Sequence, residues 1–368
     1  MTRGASRRLV PFALLLAGCT GHGDHVQEGI DSANEKMARM RAAADYDLAR
    51  QQFRSGELQT ALETIDRVVA VDGRVPHGHV LRGRILIEHG RAEEALASFD
   101  RALELDATVA DTHYYRGVCL ERLGRPDDAC SAFEKAAELD PTSHQSVLAA
   151  AEVLVEEGRA DEARALLDSR EEYRWVGGFR QMLGHMAMMN GDAERAILHF
   201  GEAVTLDPND ASFREDLARA QIVAGRYRDA EANLAMLRQD EERAQRRDLK
   251  HLHAACLLEL DEPVQARSIL YELTRGDGGK NDLAAWRKLA DVAMILDDEG
   301  LLRRVARRLI AIAPSEPHGY LTFALWQRRQ GNLEGAIESV QEAKLRASGE
   351  ELRVVTQLEE LLESQRGA

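Results

Sequence analysis

Aromatic residues are scarce in this sequence, at 5%, and so is proline, at 8 of 368 residues. With few helix breakers, the abundant Ala, Leu, Glu and Arg favour helix along nearly the whole chain, because these side chains lose little rotamer freedom there. Only four cysteines are present, Cys19, Cys119, Cys130 and Cys256, and none forms a CxxC. That excludes a disulfide-built domain and the common zinc modules. Positive charge is also short, since 48 Lys and Arg against 63 Asp and Glu leave a formal net charge of −15. A protein that tracks phosphates needs a basic face, so nucleic acid is not expected as the main partner. No phosphate-binding loop, GxSxG or HExxH occurs, and nothing indicates an enzyme or a cofactor. His251 and His253 fall on different sides of a helix, and His253 with Cys256 supplies only two ligands, so no metal site is expected.

Long apolar runs are missing at the N-terminus as well. Leu9 to Leu16 is interrupted by Pro11 and is far shorter than the roughly 20 residues a spanning helix needs. Preceded by Arg3, Arg7 and Arg8, it reads as a signal peptide over residues 1–18. It ends in Leu16-Ala17-Gly18-Cys19, which resembles the lipobox of bacterial lipoproteins. That resemblance implies cleavage before Cys19, acylation of Cys19 and attachment to a membrane through the lipid. Thr20 stands where many inner-membrane lipoproteins carry aspartate, which implies the outer membrane, facing the periplasm. Cleavage removes three arginines and no acid, so the body is expected to be solvated and not to lie flat on anionic lipid. Residues 19–41 read as a linker with a short leading helix. His22, Asp24 and His25 within it suit a polar spacer, or less readily a weak metal site.

From Ala42 the chain repeats every 34 residues or so. Residues 110–143 show the unit best, with Gly117, Leu120, Gly124, Ala129, Phe133, Ala136 and Pro141 as landmarks. Nine units fit, at 42–75, 76–109, 110–143, 144–176, 177–210, 211–244, 247–280, 283–316 and 317–350. Their eighth residue is always small: Ala49, Gly83, Gly117, Ala151, Gly184, Ala218, Ala254, Ala290 and Ala324. Their twentieth is alanine in all but the eighth unit, which has Leu302. Small residues at both positions let two helices, A and B, approach closely. Position 15 is glycine in seven units, to supply the left-handed turn after helix A, and Asp261 and Asp297 replace it in the other two. The period and these landmarks resemble the tetratricopeptide repeat. The resemblance implies an all-α, right-handed solenoid.

Residues 351–368 read as a capping helix and tail, with Leu352, Val355, Leu358, Leu361 and Leu362 covering the last unit. A change of pitch or a hinge is expected near 168–179, where unit four is one residue short and lacks its proline. The stretch from Arg238 to Lys250 reads as an extended helix, and Arg275 to Gly279 as a flexible loop. Cys119 and Cys130 are expected as buried small hydrophobes, with a disulfide between them left open.

In tetratricopeptide proteins the A helices line a concave groove. The resemblance places Tyr46, Arg50, Arg84, Tyr114, Arg122, Gln181, His185, Met188, Arg219 and Arg287 on it. Arginine, tyrosine and methionine anchor interfaces, so a protein or an extended peptide with carboxylates is the expected partner. Ordinary solvated A-helix residues are the alternative for each of them. The chain therefore reads as a membrane-anchored scaffold of the bacterial cell envelope. The alternative is an envelope lipoprotein that takes a short peptide or glycan, which the shortage of groove aromatics disfavours.

Overall fold

A computed structural model describes residues 22–367, and the leader and Cys19 lie outside the described residues. Every regular element among them is a helix. The chain divides into two compact units, with the boundary after Glu171.

In the first unit α1 (His22–Arg54) pairs with α2 (Leu58–Val71), and α3 (Pro76–Glu88) with α4 (Ala92–Leu105). Next, α5 (Ala110–Arg122) pairs with α6 (Pro126–Leu139), and α7 (His144–Glu156) with α8 (Ala160–Asp168). The second unit begins with α9 (Gly177–Met189) and α10 (Ala193–Leu206), then α11 (Ala211–Val223) and α12 (Tyr227–Leu237). A short α13 (Glu241–Gln245) precedes α14 (Arg247–Glu259) and α15 (Pro263–Thr274), and a short α16 (Gly276–Lys280) precedes α17 (Leu283–Ile295) and α18 (Glu299–Ile312). The hairpin α19 (His318–Arg329) and α20 (Leu333–Lys344) follows, and α21 (Gly349–Gly367) closes the chain. Within each unit the second helix of a hairpin also packs on the first helix of the next. This is an α-solenoid, in which each element buries its apolar face mainly against its sequence neighbours.

Glycine and phenylalanine are matched inside the repeats. A Cβ on Gly83 would sit 2.6 Å from the Phe99 ring, one on Gly117 2.6 Å from Phe133, and one on Gly184 2.5 Å from Phe200. In each case the ring stands at position 24 of the same repeat. The six repeats with alanine at position 8 carry Ile65, Leu167, Leu234, Leu270, Ala306 or Val340 there instead, all buried. Helix A therefore gives up its methyl group wherever helix B brings an aromatic ring. The phenylalanines are thus seated on their own repeat, and they also meet the next one, Phe99 stacking on Tyr115 at 6.1 Å and Phe200 clustering with Leu217.

The turns confirm the geometry expected at position 15. Gly56, Gly90, Gly124, Gly158, Gly191, Gly225 and Gly331 all have positive φ, and so do Asp261 (φ 57°) and Asp297 (φ 53°). A side chain in this region costs roughly 1 kcal/mol. Asp297 has compensation in an ion pair with Arg329 at 2.5 Å, whereas no contact of the Asp261 carboxylate is seen among the described residues. Asp261→Gly is expected to raise stability by up to about 1 kcal/mol, with a smaller gain for Asp297→Gly. Equal gains in denaturant melts would show that the Arg329 pair is irrelevant.

Three local readings change. The leading helix expected within residues 19–41 is longer than a short one, because α1 runs unbroken from His22, through the residues read as polar spacer, into the first repeat. The Arg238–Lys250 stretch is no single helix. Asp240 caps α13 by accepting from the Arg243 N–H at 3.0 Å or less (2.9 Å), and Arg246 is extended between α13 and α14. The segment after Arg275 is pinned, with Trp286 Nε1 and Arg308 both donating to the Lys280 carbonyl, at 3.1 Å and 2.7–2.9 Å. At the C-terminus, Val355 and Leu362 are buried against the Ala324–Val340 core and Leu358 packs beside it, but Leu352 and Leu361 are exposed. Cys119, Cys130 and Cys256 are free and buried. Burial pushes the Cys119 and Cys256 thiols up to about 11.

Candidate functional site

The A helices carry two kinds of polar face. In the second unit the residues expected to line a groove are bound to the repeats themselves. Gln181 Nε2 donates to Asp216 at 2.7 Å, and His185 lies 3.2 Å from the same carboxylate. Burial alone would raise the Asp216 carboxyl, but these two hydrogen bonds outweigh it and hold the group below its usual range. Arg219 pairs with Asp248 at 3.3 Å, and Arg287 with Glu316. Arg246 spans Glu215 and Asp248, at 2.6 Å to each. Met188 packs on the Phe200 and Leu217 core, while its neighbour Met189 is exposed. These ion pairs join one repeat to the next or to the segment between them, except Arg287 with Glu316, which ties α17 to the end of its own repeat. The recurrence of arginine in this unit is thus largely a device that staples neighbouring A helices.

A second polar join lies between α12, α14 and α15. Lys250 Nζ and Arg238 Nη2 share Glu272, at 3.1 and 3.0 Å. Arg238 also reaches His253 Nδ1 at 3.3 Å, and His253 Nε2 lies 3.2 Å from Glu231. A guanidinium can only donate, so Nδ1 must accept and the imidazole is neutral, with its proton on Nε2. Burial first, opposed by Glu231 and assisted by Arg238, depresses the His253 pKa. The unfolded chain therefore binds the extra proton more readily. The stabilisation is complete above the ordinary imidazole value of about 6.5 and is lost as pH falls through the depressed folded value. His253→Gln, which retains an acceptor and a donor, is expected to flatten this acid limb in pH-dependent denaturant melts. An unchanged limb would place its cause elsewhere.

The first unit is different. Two cavities, of about 490 and 290 Å³, share Phe53 and Arg84 as common walls. Tyr46, Arg50 and His77 line the larger, and Tyr114, Tyr115 and Arg122 the smaller. Five of the expected site residues, Tyr46, Arg50, Arg84, Tyr114 and Arg122, thus come together along α1, α3 and α5. Tyr46 meets His77 edge-on at 4.7 Å. Arg50 pairs with Asp47 at 2.9 Å, and Arg122 donates to the Ile87 carbonyl at 2.8 Å. The Tyr114 hydroxyl accepts from Gln145 Nε2 at 2.9 Å. Arg84 lies between the rings of Phe53 (5.4 Å) and Tyr115 (4.7 Å). Among the described residues it has no carboxylate partner, so its charge is held in place by aromatic faces. Sequence reading named Arg84 and missed its clamp, because Tyr115 sits at position 6 of its repeat, beside the positions assigned to the groove.

Models of the tetratricopeptide repeat match residues 46–110 and 81–144, and further residues 123–173 and 187–252. No curated protein matches the sequence. Among solved structures, the chain is similar to PilW, a type IV pilus biogenesis factor, at 20% identity over 54% of this chain and 93% of that one, with a TM-score of 0.47. It is also similar to the C-terminal part of a repeat protein from Cytophaga hutchinsonii, at 16% identity over 74% and 97%, with a TM-score of 0.47. A third is YrrB, described as having an unusual peptide-binding site, at 20% identity over 50% and 93%, with a TM-score of 0.39. The repeat matches, together with helix hairpins in the same register, identify the chain as a member of the tetratricopeptide-repeat proteins.

Proposed function

We propose that this chain is a protein-binding scaffold of the bacterial envelope, held to a membrane by a lipid on Cys19, with its main docking groove on the first unit. The observation that carries the groove assignment is Arg84, a positioned guanidinium between two rings with cavity on either side and no internal carboxylate. Such a group can take a carboxylate of an extended segment without first breaking an ion pair. The aromatic walls offer area for the apolar side chains of the same segment. A binding role, not catalysis, fits this arrangement, and the outer membrane facing the periplasm is the proposed location.

The test is capture of partners from detergent-solubilised envelopes by the native chain and by Arg50→Glu/Arg84→Glu/Tyr114→Ala. A protein retained by the native chain and lost by the variant is expected. Gln181→Ala/Arg219→Ala is expected to capture it normally, since those residues serve the repeats. Identical capture by the native chain and the triple variant would move docking off this groove. Metabolic labelling with a radioactive fatty acid is expected to mark the native chain and not Cys19→Ser, and labelling of both would remove the anchor.

A further inference from the structure

The N-terminal part of α1 has a face that no repeat uses. Ala42, Tyr46, Ala49 and Phe53 point to the first repeat and pack into its core. Ile30, Ala33, Met37, Met40, Ala44 and Leu48 recur at spacings of three and four, which puts them in one stripe on the opposite side of the helix. The stripe is open to solvent: Met40 is 66% exposed, Met37 51%, Ile30 48% and Leu48 43%. Large apolar side chains in a row at such exposure are not the scattered surface residues of a monomer.

The charges around the N-terminal part of the stripe, from Ile30 to Arg41, are sorted. Lys36 borders it on one side and Arg41 on the other, and neither has an ion-pair partner among the described residues. The acids Glu28, Asp31 and Glu35 fall on the far side of the helix, the side that faces away from the stripe. Asp47 also borders the stripe near Leu48, where Arg50 neutralises it at 2.9 Å, and Asp45 lies beyond Arg41. Over Ile30 to Arg41 the apolar stripe is edged by long cationic side chains with the acids behind it, the pattern of a helix lying in the headgroup region of a bilayer. The methylene stems of Lys36 and Arg41 extend the apolar area while their heads stay at the phosphates. A second copy of the chain fits less well. In a parallel pairing of two such stripes, Lys36 of one helix would face Arg41 of the other, like against like. No helix among the described residues is long and apolar enough to cross a membrane, so α1 can lie on the surface but not span it.

We infer that the Ile30–Leu48 face of α1 is a bilayer-contact surface, selective for anionic lipid. It goes beyond the groove and does not depend on acylation of Cys19. The acidic body is no obstacle, because the stripe points away from the repeats and anionic repulsion falls off within a Debye length.

The test uses the full chain carrying Cys19→Ser, so that no acyl chain contributes, and vesicles of phosphatidylcholine with or without phosphatidylglycerol. Binding is expected to need phosphatidylglycerol. Lys36→Glu/Arg41→Glu is expected to weaken it about thirtyfold, as for two cations leaving an anionic surface. Met37→Glu/Met40→Glu is expected to weaken it at least about tenfold. Both pairs sit at exposed positions, and retained circular dichroism checks the fold. The apolar leader is common to all these chains, so its own affinity cancels in the comparison. A local readout comes from Met40→Trp, whose added fluorescence is expected to be quenched by lipids brominated on the acyl chain. Binding that neither double substitution alters, an unquenched Met40→Trp, or no binding at all would overturn the inference. A dimer in sedimentation that Met37→Glu/Met40→Glu dissociates would overturn it in favour of a second copy.

Discussion

Gly117→Ala is expected to destabilise the first unit by about 1–3 kcal/mol, the usual cost of an extra methyl group in a packed core. The sign is the informative part. In a helix interior this substitution normally stabilises by roughly 1 kcal/mol, because glycine is the poorer helix former. Here the new Cβ would sit 2.6 Å from Cε1 of Phe133, whose ring is fully buried and has nowhere to go. Phe133→Leu alone leaves a void and is also expected to cost stability. The double variant recreates the pairs Ala218 with Leu234 and Ala254 with Leu270, which the chain already uses. A favourable coupling of about 2 kcal/mol between the two sites is therefore expected. Hydrogen exchange in α5 and α6 is the suitable readout, since a solenoid need not unfold in one step. Additive effects, or a stabilising Gly117→Ala, would mean that the ring gives way and the pairing is incidental.

Glu272→Gln is the second change with a large expected effect. Its carboxylate faces two cations, and Lys250 is only 7% exposed. Neutralising the shared acid leaves a buried ammonium beside a guanidinium with no counter-charge. Breaking a buried pair from one side costs about 3–5 kcal/mol, and the partial exposure of Glu272 puts the expected loss near the lower end of that range. Lys250→Met in the same background is expected to recover part of it, because an apolar side chain of similar length suits the site. A loss under about 0.5 kcal/mol would class the pair with ordinary surface bridges.

How far these features can be read from the sequence differs from one to the next. The small residues at positions 8 and 20 and the turn glycines follow directly from the period, because each meets a local steric demand. The exchange of Gly117 with Phe133 for Ala218 with Leu234 is also present in the sequence. It goes unread because nothing before the geometry says that positions 8 and 24 touch. The groove arginines are harder still. Arg219 and Arg84 have the same place in their repeats and similar neighbours, yet one meets Asp248 and the other two rings. Their partners lie 29 or 31 residues away, and which rotamer reaches them is a matter of packing. The stretch after Arg238 misleads for a propensity reason: Glu, Arg, Ala and Gln all favour helix, and the one warning was Asp240 as a cap. The helix from His22 was hidden by its glycines and histidines, which read as spacer.

The matched glycine and phenylalanine bear on how such a chain could have grown. Both members lie within one repeat, so duplication or loss of a whole repeat carries the match along intact. Recombination inside a repeat, joining helix A of one to helix B of another, can set an alanine methyl against a phenylalanine ring. Lineages that exchange complete repeats would keep folding, and those broken between Gly124 and Pro126 would meet that clash or leave a void.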